Sequence, residues 1–280
     1  EEMLSDNLPV ENTPTPSSPS LFSENVEKEQ MQELLNSITL DENHYSQLYS
    51  ALGDLVKEMS HSTVTVTAVK SNVDWLANVT ESQTQIMGVI IGNNGKELLI
   101  LTNYSPLKNA DTLWLTFSGN YMVEAQLKQR HTASDIAILS VSVSALGNRI
   151  ENIQMASFGC SNTQNLLCTP VLAIGCPQGE CGSVGFGMIT SESGQVTMVD
   201  ANYKLLLTDI YGSKSASGFL VNMKGQIIGM ITTKKTSSDM QNMITAYGIS
   251  DLKKLISNLS EGSGIAYLGI TGTDVSVEAN

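Results

Sequence analysis

Short runs rich in valine, isoleucine, leucine and threonine recur along the chain with turn signals between them. Six fall at 63–69, 85–91, 98–102, 113–117, 121–127 and 136–141. A second set falls at 171–175, 185–191, 195–199, 205–208, 219–223, 227–232 and 246–249. Asn94-Gly95, Ser118-Gly119-Asn120 and Lys224-Gly225 carry the chemistry of tight hairpin turns. Long amphipathic helices do not alternate with these runs, so the spacing excludes βαβ units. It predicts an all-β sandwich or barrels.

Within the second set, 205–209 and 218–223 are strand-like and flank a Gly/Ser-rich stretch at 210–217. Such a stretch can leave backbone amides free for an anion or a carbonyl oxygen, or it can be an ordinary surface connection. Thr208 and Asp209, a loop, and then Lys214-Ser215-Ala216-Ser217-Gly218-Phe219-Leu220-Val221-Asn222 resemble the nucleophile segment of the HtrA (high-temperature-requirement) branch of trypsin-like serine proteases. That family has Thr-Asp, a loop, and Gly-Asn-Ser-Gly-Gly-Pro-Leu-Val-Asn. The resemblance extends to Met87-Gly88-Val89-Ile90-Ile91, Val171-Leu172-Ala173-Ile174-Gly175 and Gly187-Met188-Ile189-Thr190-Ser191. It implies two six-stranded antiparallel β-barrels of trypsin-like type, with an N-terminal helical extension and a short C-terminal helix.

The same resemblance locates a degenerate triad. Aligned back from Leu220-Val221-Asn222, Ala216 takes the nucleophile position, and Lys214 and Ser215 fall in the oxyanion-hole region. Counted forward from Thr208 and Asp209, the slot falls on Ser217, the minority register. Strand register fixes position more firmly than loop length, which favours Ala216. The family's histidine follows a Leu-Thr-Asn segment; here Leu101-Thr102-Asn103-Tyr104 is followed by Ser105 and Pro106. Ser134-Asp135-Ile136-Ala137 matches the family's aspartate segment, so Asp135 keeps the carboxylate with no imidazole to orient. A single nucleophile-to-alanine substitution accounts for Ala216 but not for Ser105. Losing triad members costs about a millionfold in turnover.

No other constellation replaces it. His44 is expected in a helix outside the barrels, His61 at that helix's end, and His131 on a solvated turn beside Arg130; a structural or surface role is expected of each. A Ser–Lys dyad of Lys214 with Ser213, Ser215 or Ser217 would need a buried lysine, which a Gly/Ser loop does not supply.

The flanks divide the chain further. Residues 1–28 read as a disordered acidic Pro/Ser tether: four prolines, seven acidic side chains and a single lysine lie within the first 30 residues. Residues 29–60 read as a helical extension, with helices at 30–38 and 40–59. Thr39 and Glu42 make a capping box, and Leu48, Leu52, Leu55, Val56 and Met59 make an apolar stripe. Residues 61–148 are assigned to the first barrel, and 149–262 to the second barrel plus a helix. That helix is capped by Ser250 and buries Leu252, Leu255, Ile256 and Leu259. Residues 263–280 read as a linker and the start of a truncated PDZ domain, because 267–273 resemble a PDZ opening strand.

All four cysteines, Cys160, Cys168, Cys176 and Cys181, are disulfide candidates with three pairings open; Cys160–Cys168 with Cys176–Cys181 closes the shortest loops. A zinc site is the rival, with spacings that fit a metal poorly. No metal and no cofactor is expected. The net charge of −13 disfavours nucleic acid and anionic lipid. No apolar run of about 18 residues is present. Disulfides and a Pro-rich stalk fit the extracellular face of a bacterial membrane, with the anchor in an N-terminal segment absent from this chain.

The reading is a catalytically inactive HtrA-like pseudoprotease that binds peptides or unfolded segments, or acts as a chaperone-like module of the cell envelope. By resemblance it forms a homo-oligomer, a trimer. The alternatives are an active endopeptidase using Ser217 and a structural oligomer scaffold.

Overall fold

The computed structural model describes residues 42–73, 79–163, 165–198, 201–234, 242–262 and 270. Strands β1 (Thr63–Val73), β2 (Val79–Asn93), β3 (Glu97–Asn103), β4 (Thr112–Phe117), β5 (Tyr121–His131) and β6 (Ile136–Ser142) close into one barrel, in the order β1-β2-β3-β6-β5-β4. Strands β7 (Pro170–Cys176), β8 (Ser183–Met198), β9 (Ala201–Tyr211), β10 (Ser217–Asn222), β11 (Ile227–Thr232) and β12 (Met243–Gly248) close into a second. Its order, β7-β8-β9-β12-β11-β10, repeats the first. Every pairing between these strands is antiparallel.

The hairpin turns fall where the sequence put them. At the β10–β11 turn the Asn222 carboxamide oxygen accepts from the Lys224 and Gln226 amides, each at 3.0 Å, while Gly225 takes a φ of 72° that a side chain would strain. One expectation is corrected: 185–191 and 195–199 are a single strand, β8. Its register against β9 shifts between Ile189 and Ser191 and again between Ser191 and Gly194. Irregularities of this kind bend a strand without ending it, and local sequence reads them as a gap.

Each barrel has its own apolar filling. Val66, Ile90, Ile100, Leu115, Ala137 and Leu139 occupy the first, and Val171, Ala173, Ile189, Leu206, Leu220 and Ala246 the second. A third cluster lies on outward faces: Leu99, Leu101, Ile136 and Ile138 from the first barrel meet Leu172, Ile174, Phe219 and Val221 from the second.

Residues 1–50 and 51–280 form separate units. Helix α1 (Glu42–Met59) crosses that boundary. Leu52 and Met59 are buried and Leu55 and Val56 half-buried as the stripe predicts, whereas Leu48 is exposed. The 30–38 helix and the Thr39 part of the capping box lie outside the described residues. A single helical turn, α2 (Val143–Leu146), follows the first barrel.

Helix α3 (Ile249–Glu261) buries Leu252, Leu255, Ile256 and Leu259, as its periodicity predicts. Its N-cap is Gly248 rather than Ser250. Ser250 instead exchanges bonds with Ser161: its amide donates to Ser161 Oγ at 2.9 Å, and its hydroxyl accepts from the Ser161 amide at 2.8 Å. The 267–273 segment lies outside the described residues apart from Ile270. No described helix is long and apolar enough to cross a membrane.

Phe219 is fully buried on β10, in the cluster between the barrels. Phe219→Ala should cost about 3–5 kcal/mol in urea unfolding, against about 0.5 kcal/mol or less for Met122→Ala, whose side chain is 55 % exposed.

Candidate functional site

The end of β3, the turn before β6 and the loop before β10 meet at an open cavity of about 760 Å³. Its lining includes Asn103, Ser105, Asp135, Lys214, Ser215, Ala216 and Ser217. The structure therefore brings Ser105, Asp135 and Ala216 to one place. A second cavity of about 350 Å³ adjoins it, lined by Ser213, Lys214, Ala216, Ile231, Thr232, Thr233, Met243, Ile244 and Thr245.

Asn103 ties the two barrels together at the base of the larger cavity. Its Nδ2 donates to the Ile231 carbonyl at 3.1 Å, and its Oδ1 accepts from the Gly218 amide at 3.3 Å. It is buried, so both bonds are shielded from water. Gly218 has a φ of 124°, and a Cβ there would lie 2.1 Å from the Ile174 carbonyl oxygen. Only glycine lets β10 approach β7 this closely.

Asp135, expected to have no imidazole to orient, is engaged by two residues. Its Oδ1 accepts from the Ser105 amide at 2.7 Å and from the Ser105 hydroxyl at 2.5 Å, and it pairs with Lys234 Nζ at 3.5 Å. The backbone holds Asp135 at a φ of 62°, a left-handed conformation that aspartate tolerates better than most residues. Ser105 opens the 3₁₀ turn Ser105–Leu107, and the carboxylate satisfies an amide that such a turn leaves unpaired. Lys234 also donates to the Thr132 carbonyl at 2.9 Å.

Of the two roles left open for this loop, free amides or an ordinary connection, the Ser215 and Ala216 amides take the second, turning back on Ser213. Ala216 N–H donates to the Ser213 carbonyl and Ser215 N–H to Ser213 Oγ, both at 3.0 Å. The Ser213 and Ser215 hydroxyls are 2.8 Å apart, and Ser213 N–H donates to the Pro177 carbonyl at 2.9 Å. Lys214 is exposed, the opposite of what a Ser–Lys dyad needs. Ser217 is buried, and its Oγ has no protein partner. Thr208 and Asp209 serve the backbone: Thr208 Oγ1 donates to the Ile244 carbonyl, and Asp209 Oδ1 accepts from the Met188 amide.

No histidine lines either cavity. His131, expected on a solvated turn, ends β5 half-buried, with Nδ1 at 2.6 Å from Ser134 Oγ. Burial, and then the nearby Lys234 charge, lower its pKa. Cys176 and Cys181 form a disulfide that closes the loop carrying Pro177, and Cys181 lines the larger cavity. The Cys160–Cys168 pairing is not formed; both thiols are free and exposed. Ser250 Oγ lies 3.6 Å from Cys160 Sγ, and that bond leads the causes lowering the thiol's pKa. No group of three or more potential metal ligands occurs among the described residues.

Two functional positions were not legible beforehand. Lys234 lies in the turn just past β11, and its partner Thr132 lies 102 residues away. Asn103 is visible in its Leu-Thr-Asn motif, but nothing local announces a bond to Ile231, 128 residues on.

The family model of the trypsin-like peptidase domain matches residues 86–230, just over half of the chain. The chain belongs to the trypsin-like peptidase family. Among its relatives are the "Serine protease HtrA-like" proteins of Staphylococcus aureus strains USA300 and NCTC 8325, each 26 % identical over 217 residues. That alignment covers 74 % of this chain and 27 % of the relative, so the chain spans little more than a quarter of those proteins' length. Among solved structures, the HtrA-type protease AlgW with decapeptide matches at a TM-score of 0.58 and 19 % identity, over 75 % of this chain and 67 % of that one. A serine-to-alanine variant of AlgW with decapeptide matches at 0.60 and 20 %, over 80 % and 72 %. These likenesses agree on the trypsin-like two-barrel fold.

His131 gives a pH prediction. Its folded pKa lies below the unfolded value of about 6.5, so the unfolded chain binds the proton more readily. Stability should therefore fall as pH drops through about 6.5, and His131→Gln should flatten the melting temperature between pH 5 and 7.5. Converting Cys176 and Cys181 together to alanine should cost about 2 kcal/mol in denaturant unfolding, from the entropy of the small loop they close.

Proposed function

We propose that this trypsin-like chain is a pseudoprotease: it holds extended peptide or unfolded-protein segments in the cleft beside Ala216 without hydrolysing them. Ser105, Asp135 and Ala216 occupy the degenerate triad positions in this reading. The observation that carries it is the state of Asp135. A triad aspartate must accept from an imidazole that in turn reaches a nucleophile. Here the carboxylate is engaged by the Ser105 amide and hydroxyl and by Lys234, and no histidine lines the cavity.

Two further features support it. Ala216 offers no hydroxyl, and Ser217, the alternative nucleophile, is buried with no base beside its Oγ. The internal bonds of Ala216 and Ser215 remove donors that would stabilise an oxyanion. The cavity nonetheless stays open at about 760 Å³, a size that suits a binding role better than a filled-in scaffold. AlgW, which shares the fold, is described with a decapeptide. A cell-envelope setting outside a bacterial membrane rests on the Cys176–Cys181 disulfide, which needs an oxidising compartment. A trimer held by N-terminal segments is carried over from the HtrA resemblance alone.

The test is fluorophosphonate labelling of the folded protein, with mass mapping of serines and a casein digest alongside. No labelled serine and no cleavage are expected, and Ala216→Ser alone should restore neither, because no base reaches position 216. Labelling of Ser217 with casein cleavage would establish an active endopeptidase instead.

A further inference from the structure

We infer that the cleft is built to take the end of a peptide rather than its middle, with the terminal carboxylate seated between Lys214 and Ala216 and the last side chain in the smaller cavity. The inference rests on the binding reading above and names the ligand class of that site.

The two cavities share three lining residues, Lys214, Ala216 and Thr233. A residue whose side chain enters the smaller cavity must therefore leave its own carbonyl carbon at this junction. The smaller cavity, at about 350 Å³, has Ile231, Met243 and Ile244 among its walls and Thr232 and Thr245 beside them. That lining suits an apolar side chain of moderate size.

What waits at the junction decides between an internal residue and a terminal one. An internal residue presents a neutral carbonyl oxygen, which needs backbone donors; the Ala216 and Ser215 amides are already committed to Ser213, which leaves the Lys214 amide as a single donor there. A terminal residue presents a carboxylate, which a cation can hold. Lys214 supplies that cation: it is exposed, and among the described residues no acidic side chain pairs with it, the ion pairs there being Lys128–Glu97, Lys204–Glu192 and Lys234–Asp135.

The charges facing the junction are compatible. Asp135 also lines the larger cavity, but its charge is offset by Lys234 and by the two Ser105 bonds. Glu180 lines the larger cavity and not the smaller one. Ala216 contributes a methyl group where a serine would project a hydroxyl, which leaves room for the second carboxylate oxygen. The exposed position of Lys214 limits the gain, because water and salt screen it.

The experiment is fluorescence anisotropy of the full chain with one labelled peptide made in four forms. One ends in leucine as the free acid, one in leucine amide, one continues three residues past the leucine, and one is the amide with an internal glutamate. The free acid should bind about five- to tenfold more tightly than the amide and the extended form. The advantage should shrink at high salt and disappear in Lys214→Gln. Equal affinity for acid, amide and extended forms overturns the inference and leaves the binding reading standing. Equal gain from the internal glutamate shows a general carboxylate site and overturns the terminal one. A preference that survives Lys214→Gln places the carboxylate elsewhere and also overturns it, and absence of binding by every form defeats both readings.

Discussion

A closed barrel turns one face of each strand inward and the other outward, so two barrels that touch need apolar residues on outward faces as well as in their fillings. Here Leu99, Leu101, Ile136 and Ile138 supply that face on one side, and Leu172, Ile174, Phe219 and Val221 on the other. Burial of this seam fixes where the ends of β3 and β6 lie against β10 and β11. The Asn103 bonds to Ile231 and Gly218 then set the register across it. Everything in the cleft, from Ser105 to Ala216, takes its position from that junction.

Once the cleft is placed, small chemical choices decide what it can do. Serine at position 105 can donate to Asp135 and cannot accept a proton usefully at neutral pH, so the carboxylate ends in a closed hydrogen-bonded cluster with Lys234. On the opposite wall the Cys176–Cys181 bond braces a loop whose Pro177 carbonyl takes the Ser213 amide, which ties the 213–217 loop to the second barrel. The resulting site is well ordered and bonded to itself. Hydrolysis needs donors and a base left free for the substrate.

The strands were legible because their signals are local. Period-two apolar patterning and turn chemistry at Asn94-Gly95, Ser118-Gly119-Asn120 and Lys224-Gly225 act over a few residues, and they placed all six strands of the first barrel. The same locality misled at β8, where register shifts interrupt the pattern without ending the strand. It also misled at Ser250, whose hydroxyl and amide serve Ser161 rather than the helix end. For the site, the motifs drew attention to Ser105, Asp135 and Ala216, and the fold brings them to one cavity. Lys234 as a partner of Asp135 was not legible, because the two lie far apart in the chain, one just past β11 and one just before β6, and meet only when the barrels pack together.

By itself, the sequence determined the all-β architecture, the apolar face of α3, and the absence of histidine and serine at positions 105 and 216, because each is a property of residue type or short-range spacing. Tertiary structure alone decided that Asp135 is occupied, that the Ser215 and Ala216 amides turn back on Ser213, that Cys176 pairs with Cys181 while Cys160 and Cys168 stay free, and that two cavities meet at Lys214. Those outcomes depend on distances between segments far apart in the chain, and packing between the barrels sets such distances.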